Sequence, residues 1–155
     1  MPIRKLIDYL DSHKIDYVTI NHSTAYTAQQ IAASAHIPGK ELAKTVIIKV
    51  DGDIAMAVLP ASEKVDFDLL RNTVGSDFVE LATEREFKDV FPDCEIGAMP
   101  PFGNLYDSEV YLSESLVDND FITFNACNHR ELIRMSMKDY DRLIKPKVMR
   151  LSFQR

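Results

Sequence analysis

Residues 44–59 constrain the fold of this chain more than any other stretch. Two short apolar runs, 44–50 (KTVIIKV) and 54–59 (IAMAVL), flank Asp51-Gly52. Both turn residues tolerate the positive φ that a tight hairpin turn demands, so the stretch is expected to form two paired antiparallel strands. The second strand is apolar on both faces, which suits a central strand covered on each side. On the first strand Lys44, Val46, Ile48 and Val50 share one face, and Thr45, Ile47 and Lys49 share the other. Lys44 therefore begins the row that looks most core-facing. An ammonium at the mouth of an apolar cavity is partly desolvated and holds an anion more strongly than a surface lysine does. The alternative is a lysine whose stem snorkels from a strand end.

The remaining chain reads as alternating short elements without repeat or linker. Ile3, Leu6, Ile7 and Leu10 recur at helical spacing, predicting an amphipathic helix over 3–13. A strand is expected at 17–20. Thr27 can cap a helix over 28–35 that Pro38-Gly39 ends. Helices are expected over 65–73 and 83–91, with strands near 78–81, at 110–112 and at 121–124. Arg130, Arg134, Lys138 and Arg142 are spaced by four and suggest one basic helix. Ser136-Met137-Lys138-Asp139, however, is a variant of a capping-box start. An extended segment at 131–135 and a helix at 137–144 stopped by Pro146 is the preferred reading, and it dissolves the basic stripe.

Length and composition narrow the class. With 155 residues, 46% apolar and 27% charged, the chain suits a single globular domain spanning residues 1–155. No run approaches the ~20 apolar residues of a membrane span, and the charged N-terminus is unlike a signal peptide. A cytoplasmic location is expected. Two cysteines, Cys94 and Cys127, are too few for a disulfide framework or a four-ligand zinc site. The net charge of −6 argues against a general nucleic-acid binder, DNA included. Yet residues 130–155 carry eight basic and three acidic side chains, a local +5 that allows a phosphate-contacting patch. A solvated surface is the plainer reading of the same charges.

Residues 91–109 form the least regular stretch. Five of the twelve residues from Pro92 to Gly103 are Gly or Pro. A stiff loop of this kind either crosses the surface or offers bare amide N–H groups as an oxyanion cradle. His129 follows the strand expected at 121–124, and Cys127-x-His129 permits a nucleophile–base pairing. Metalloprotease, P-loop and serine-hydrolase signatures are absent from the sequence.

Three segments together resemble the editing domain of bacterial prolyl-tRNA synthetases and its free-standing relatives, the YbaK-type aminoacyl-tRNA deacylases. The first runs His22-Ser-Thr-Ala-Tyr26-Thr27, then Glu41-Leu42-Ala43-Lys44-Thr45-Val46, with Lys44 at the place of the family's essential lysine. The second is Gly97-Ala98-Met99-Pro100-Pro101-Phe102-Gly103, similar to the family's G-x-x-x-P loop. The third is Phe124-Asn125-Ala126-Cys127-Asn128-His129, similar to its F-N-A-G-x-H element, with Cys127 in place of the glycine. The resemblance covers roughly residues 15–145, with the motifs in the family's order.

That resemblance implies an α+β fold: a mixed, partly closed sheet or small barrel surrounded by helices. It implies hydrolysis of the ester joining a wrong amino acid to the terminal adenosine of tRNA, without metal, cofactor or protein nucleophile and with help from the tRNA's own ribose hydroxyl. Lys44, Gly97 and Pro101 would be catalytic. His22, Tyr26, Thr45, Met99, Pro100, Phe102, Gly103, Asn125 and His129 would bind the substrate, and Arg142, Lys145, Lys147 and Arg150 would touch the tRNA backbone. The implied partners are mischarged tRNA and an aminoacyl-tRNA synthetase, with neither membrane nor DNA. Two other classes fit the sequence: a non-catalytic module that binds aminoacyl-tRNA or a synthetase, and an acyl hydrolase dependent on Cys127 and His129.

Overall fold

The computed structural model describes residues 4–21 and 40–153. The expected hairpin is its centre. Strands β2 (Ala43–Val50) and β3 (Asp53–Pro60) pair antiparallel from Val50↔Asp53 to Ala43↔Pro60, with Lys44 opposite Leu59. Asp51 and Gly52 take φ of 52° and 87°, as a two-residue turn of this type requires. Every residue of β3 from Ala55 to Pro60 is buried, in keeping with its unbroken apolar sequence.

Around the hairpin lies a five-stranded mixed sheet, in the order β5 (Val79–Leu81), β2, β3, β6 (Glu109–Ser113), β9 (Lys147–Met149). The pairs β3–β6 and β6–β9 are parallel. A second, antiparallel sheet has the order β1 (Tyr17–Asn21), β8 (Glu131–Ser136), β7 (Phe121–Asn125). Strands β4 (Lys64–Val65) and β10 (Ser152–Phe153) form a small pair of their own. The two larger sheets meet where Leu42 bridges Thr123 in parallel fashion. The result is the mixed, partly closed α+β architecture anticipated from the sequence, without a closed barrel.

The main core fills the space between the sheets. Ile47, Met56 and Val58 face Ile122, Phe124 and Ile133 there. Helix α1 (Arg4–Ser12) adds Leu6 and Leu10, the short helix α4 (Glu114–Val117) adds Leu116, and helix α5 (Met137–Ile144) adds Met137 and Tyr140. A second core on the other face of the hairpin joins Ile48, Ala57 and Leu59 to Leu70 of α2 (Phe67–Val74). Both rows of β2 thus reach apolar packing, not only the row begun by Lys44.

Local chemistry explains most boundaries. Ser136 caps α5 by accepting from the Asp139 amide, as its S-x-x-D sequence suggests. Arg130, Arg134 and Lys138 consequently fall on a turn, a strand and a helix, so no single basic stripe exists. The helix expected over 65–73 starts later, because Val65 pairs with Ser152 and Asp66 caps α2. The helix expected over 83–91 is shorter: α3 (Glu84–Phe87) is capped reciprocally by Thr83 and Glu86. Beyond it, Val90 and Phe91 both donate to the Phe87 carbonyl in tight turns that lead into the Gly–Pro loop. The helix expected over 28–35 lies outside the described residues. Strands β9 and β10 have no counterpart in the sequence reading. No helix among the described residues is long and apolar enough to cross a membrane.

A charged cluster locks the seam between the sheets. Arg134 Nε donates to Glu41 Oε1 at 2.5 Å, and Thr123 Oγ1 donates to the same oxygen at 3.2 Å. The Glu41 side chain is only 13% exposed. Arg134→Met should therefore leave a buried carboxylate with one weak donor and cost about 2 kcal/mol of stability, read by urea denaturation. Pairing it with Glu41→Gln should recover part of that loss.

Candidate active site

The seam also sets where the candidate residues lie. Leu42 and Thr123 run parallel at the bridge, so Lys44 and Asn125, each two residues further on, continue toward the same end of it. Lys44 is half-buried on β2, on the second-core face. Burial pushes its pKa below the usual lysine value, the Lys64 cation adds to that fall, and the Glu63 carboxylate opposes it. Asn125 is 9% exposed, and its Oδ1 has no hydrogen-bond partner among the described residues. A buried carbonyl oxygen of this kind normally finds a donor, so a ligand hydroxyl or amine would be well received there.

The Gly–Pro loop is tied down on three sides. The Glu95 amide donates to the Cys127 carbonyl and the Cys127 amide to the Ala98 carbonyl, both at 2.9 Å. His129 Nε2 lies 2.7 Å from the Ile96 carbonyl oxygen. A carbonyl can only accept, so Nε2 carries the proton. From below, the buried Tyr140 hydroxyl donates to the Pro101 carbonyl at 2.6 Å. Complete burial raises the Tyr140 pKa and keeps the hydroxyl a donor.

Two glycines are required by this geometry. Gly97 has φ +85°, and a Cβ there would meet the His129 ring at 3.4 Å. At Gly103 a Cβ would sit 2.2 Å from the Ser108 carbonyl oxygen. Between them the chain turns so that, among the described residues, the Gly97 and Met99 amides make no hydrogen bond. Such donors, fixed by a rigid backbone, can stabilise negative charge developing on a carbonyl oxygen.

The sequence-derived residues fall into distinct places. Lys44, Asn125, Gly97, Pro100, Pro101 and His129 belong to the seam end and the loop fastened beside it. Met99 and Phe102 point into the main core; Phe102 is fully buried, with ring centroids 5.3 Å from Phe124 and 5.6 Å from Tyr140. They hold the loop from inside. Thr45 lies on the face of β2 opposite Lys44. His22 and Tyr26 lie outside the described residues. Arg142 pairs with Asp139 at 3.1 Å, Lys147 with Glu109 at 3.6 Å and Arg150 with Glu114 at 3.7 Å, while Lys145 closes α5 in a left-handed conformation.

Two features of the site escaped the sequence reading. Tyr140 shares a helical face with Met137, which marks it as core but cannot reveal which carbonyl its hydroxyl meets. Cys94 and Cys127, 33 residues apart, are joined by a disulfide. In this state Cys127 has no free thiolate, and His129 Nε2 is engaged with Ile96, so the arrangement gives no nucleophile–base pair.

Fold and site together define a small α+β domain that carries a partly desolvated lysine and a loop of backbone N–H groups. Residues 22–143 match the model of the aminoacyl-tRNA editing domain, and the chain belongs to that family. The proline–tRNA ligase of Staphylococcus epidermidis (strain ATCC 12228 / FDA PCI 1200) is 27% identical over 139 residues, 86% of this chain but 24% of the ligase. That of Bacillus mycoides (strain KBAB4) is 27% identical over 82 residues, 53% of this chain and 14% of the ligase. The chain thus spans about a quarter or less of these relatives. A solved structure described as a candidate trans-editing enzyme for prolyl tRNA synthetase superposes with TM-score 0.82 at 20% identity, covering 97% of this chain and 96% of that one. A second, of a hypothetical protein, gives TM-score 0.85 at 16% identity, covering 97% and 100%. At these identities the two structures speak for the fold alone.

The tie from α5 to the loop can be tested directly. Tyr140→Phe keeps the ring packing but leaves the Pro101 carbonyl buried and unpaired. We expect a loss of ~1–3 kcal/mol in denaturant unfolding.

Proposed function

We propose that this chain is an aminoacyl-tRNA deacylase that removes wrongly attached amino acids from tRNA, acting in trans or docked on a synthetase. The observation that carries the reading is the pair of amides, Gly97 and Met99, that make no hydrogen bond among the described residues, in a loop fixed on three sides beside the seam end to which Lys44 and Asn125 run. Membership in the aminoacyl-tRNA editing family supports the substrate class.

In the reaction water attacks the ester carbonyl carbon. Negative charge builds on the carbonyl oxygen, where the loop amides stabilise it. The bond to the ribose oxygen then breaks, and that oxygen takes a proton, releasing free amino acid and intact tRNA. Neither metal nor protein nucleophile is needed in this scheme; the neighbouring ribose hydroxyl assists the water. Lys44 holds the terminal nucleotide through phosphate, so that the ester lies against the loop. Its partial burial strengthens that contact relative to an exposed lysine. His129 acts on the loop by holding the Ile96 carbonyl. Asn125 offers its side-chain oxygen, which has no partner among the described residues, to a polar group of the substrate.

Lys44→Ala should lower kcat/KM on mischarged tRNA by on the order of 10²-fold, with little change in unfolding midpoint. In the wild type, activity should fall on the alkaline side before the ordinary lysine range is reached, because the Lys44 pKa is depressed. Lys44→Arg should keep charge and shift that limb upward. Turnover of Lys44→Ala near wild type in a deacylation assay would remove the lysine from the scheme.

The basic tail is the proposed contact to the acceptor-stem backbone. The ion pairs of Arg142, Lys147 and Arg150 are solvent-exposed and individually weak, about 0–1 kcal/mol, so phosphates can compete for these cations. Replacing Arg142, Lys145, Lys147 and Arg150 with Gln should raise KM for full-length charged tRNA. It should also flatten the salt dependence by roughly 0.7–0.9 log units per log salt for each phosphate no longer neutralised. Cleavage of a minimal aminoacyl-adenosine substrate should be nearly unchanged; an equal loss on both substrates would place the tail outside tRNA binding.

A further inference from the structure

The disulfide between Cys94 and Cys127 joins the same two segments that build the loop's anchorage. Cys94 lies three residues before Gly97, and Cys127 two residues before His129. Between them run the Glu95–Cys127 and Cys127–Ala98 backbone hydrogen bonds and the His129–Ile96 contact. Cys127 itself has φ +74°, a left-handed conformation that a side-chain-bearing residue adopts at a cost. It keeps that conformation while bonded to Cys94 and while its amide reaches Ala98.

We infer that the Cys94–Cys127 pair is a thiol–disulfide modification site that sets the order of the Gly–Pro loop, with low-molecular-weight thiols and disulfides as its reactants. Access favours Cys94, which is partly buried at a cavity of about 170 Å³ lined also by Phe91, Ile96 and Met99, whereas Cys127 is 3% exposed. A small thiolate attacks the Cys94 sulfur. The S–S bond breaks, and its electron pair leaves on the Cys127 sulfur, which takes a proton. A second small thiol attacks the mixed disulfide, releasing a small disulfide and leaving Cys94 as a thiol. Two electrons and two protons have passed from two thiols to the cysteine pair. Oxidation by a small disulfide such as glutathione disulfide runs the same steps backwards.

Reduction matters through the backbone. Once uncoupled from Cys94, Cys127 can leave its left-handed conformation. Doing so withdraws its amide from Ala98 and its carbonyl from Glu95. The segment carrying the Gly97 and Met99 amides then loses one of its three anchors. Oxidation restores the anchor, so the oxidised form presents the ordered loop. Glycine at 127 would hold the same φ without strain and keep the loop ordered with no cross-link.

Hydrogen–deuterium exchange over residues 94–99 and 126–129 tests this without a substrate, after equilibration with glutathione disulfide or with dithiothreitol. For the wild type we expect exchange in these segments to rise at least tenfold on reduction and to return on reoxidation. Cys94→Ser should exchange fast in both conditions, and Cys127→Gly slowly in both. Wild-type exchange indifferent to reduction, or Cys127→Gly exchanging as fast as reduced wild type, would overturn the inference. The link to catalysis rests on the deacylase reading, so deacylation is measured in parallel. Oxidised wild type should be about tenfold faster than reduced, with Cys127→Gly fast in both states. Equal deacylation in the two states despite a tenfold exchange difference would overturn the control of activity. No deacylation in either state, with the exchange pattern as expected, would sink the proposed function while supporting the redox site.

Discussion

Where Leu42 meets Thr123, two sheets of different strand order are held edge to edge by very little backbone. The Thr123 amide donates to the Glu41 carbonyl at 3.2 Å, while the bond from the Ala61 amide to the Leu42 carbonyl at 2.8 Å only extends the β2–β3 ladder on one side of the seam. Between strands as short as these, such bonds gain little net free energy over water. The Thr123–Glu41–Arg134 cluster supplements them with charge-assisted bonds at a partly dry position, where they are stronger than on the surface. Arg134 also covers the Phe121 ring, its guanidinium 3.9 Å from the ring centre. That seam fixes which ends of β2 and β7 converge, and so fixes the placement of Lys44 relative to Asn125.

The loop is placed by different means. Its outer half depends on polar ties to the β7–β8 turn, and its inner half on burial of Met99 and Phe102 plus one buried hydroxyl from α5. This division has a consequence for the electrostatics of the site. Amides stabilise developing charge only if they need not reorient during the reaction. Packing beneath and hydrogen bonding above leave the Gly97–Pro101 backbone little freedom to do so, provided each tie is intact. The inner ties are insulated from solvent; the outer ones end on Cys127 and His129, next to the surface-exposed Gly97.

How far the sequence can be read follows from the range of each interaction. The hairpin was legible because turn chemistry and strand pattern are local: Asp51-Gly52 and two apolar runs suffice. The break between β8 and α5 was legible because Ser136 announces a cap. Strands β9 and β10 were not. Lys147–Met149 becomes a strand through parallel pairing with Leu112, far away in sequence, and three residues after a proline carry no such signal. The same holds at the site. Gly97 and the two prolines mark a stiff loop, and family resemblance gives Lys44 and His129 their significance. The Tyr140–Pro101 bond and the Cys94–Cys127 link depend on tertiary proximity alone. Thr45 and Phe102, though they stand within the motif segments, turn toward other surroundings, because strand alternation and core packing decide side-chain direction, not proximity in sequence.

The charge distribution follows the same logic of local against global. A chain of net charge −6 repels a polyanion at long range, yet beyond about 8–10 Å that repulsion is screened at physiological salt. Inside that distance the local arrangement decides. The Lys44 pKa is lowered first by burial and then by the nearby Lys64 cation, with Glu63 opposing, so under the proposed function a phosphate beside Lys44 would offset both effects. The tail differs, since Arg142, Lys147 and Arg150 are each matched by a carboxylate on the surface. Under the proposed function, binding at the tail would exchange one anion for another and contribute modest affinity, while binding at Lys44 would neutralise a cation that is partly desolvated. Under the proposed deacylase function, such a chain would gain little from polyanions in general and most from one whose last phosphodiester reaches Lys44 beside the seam.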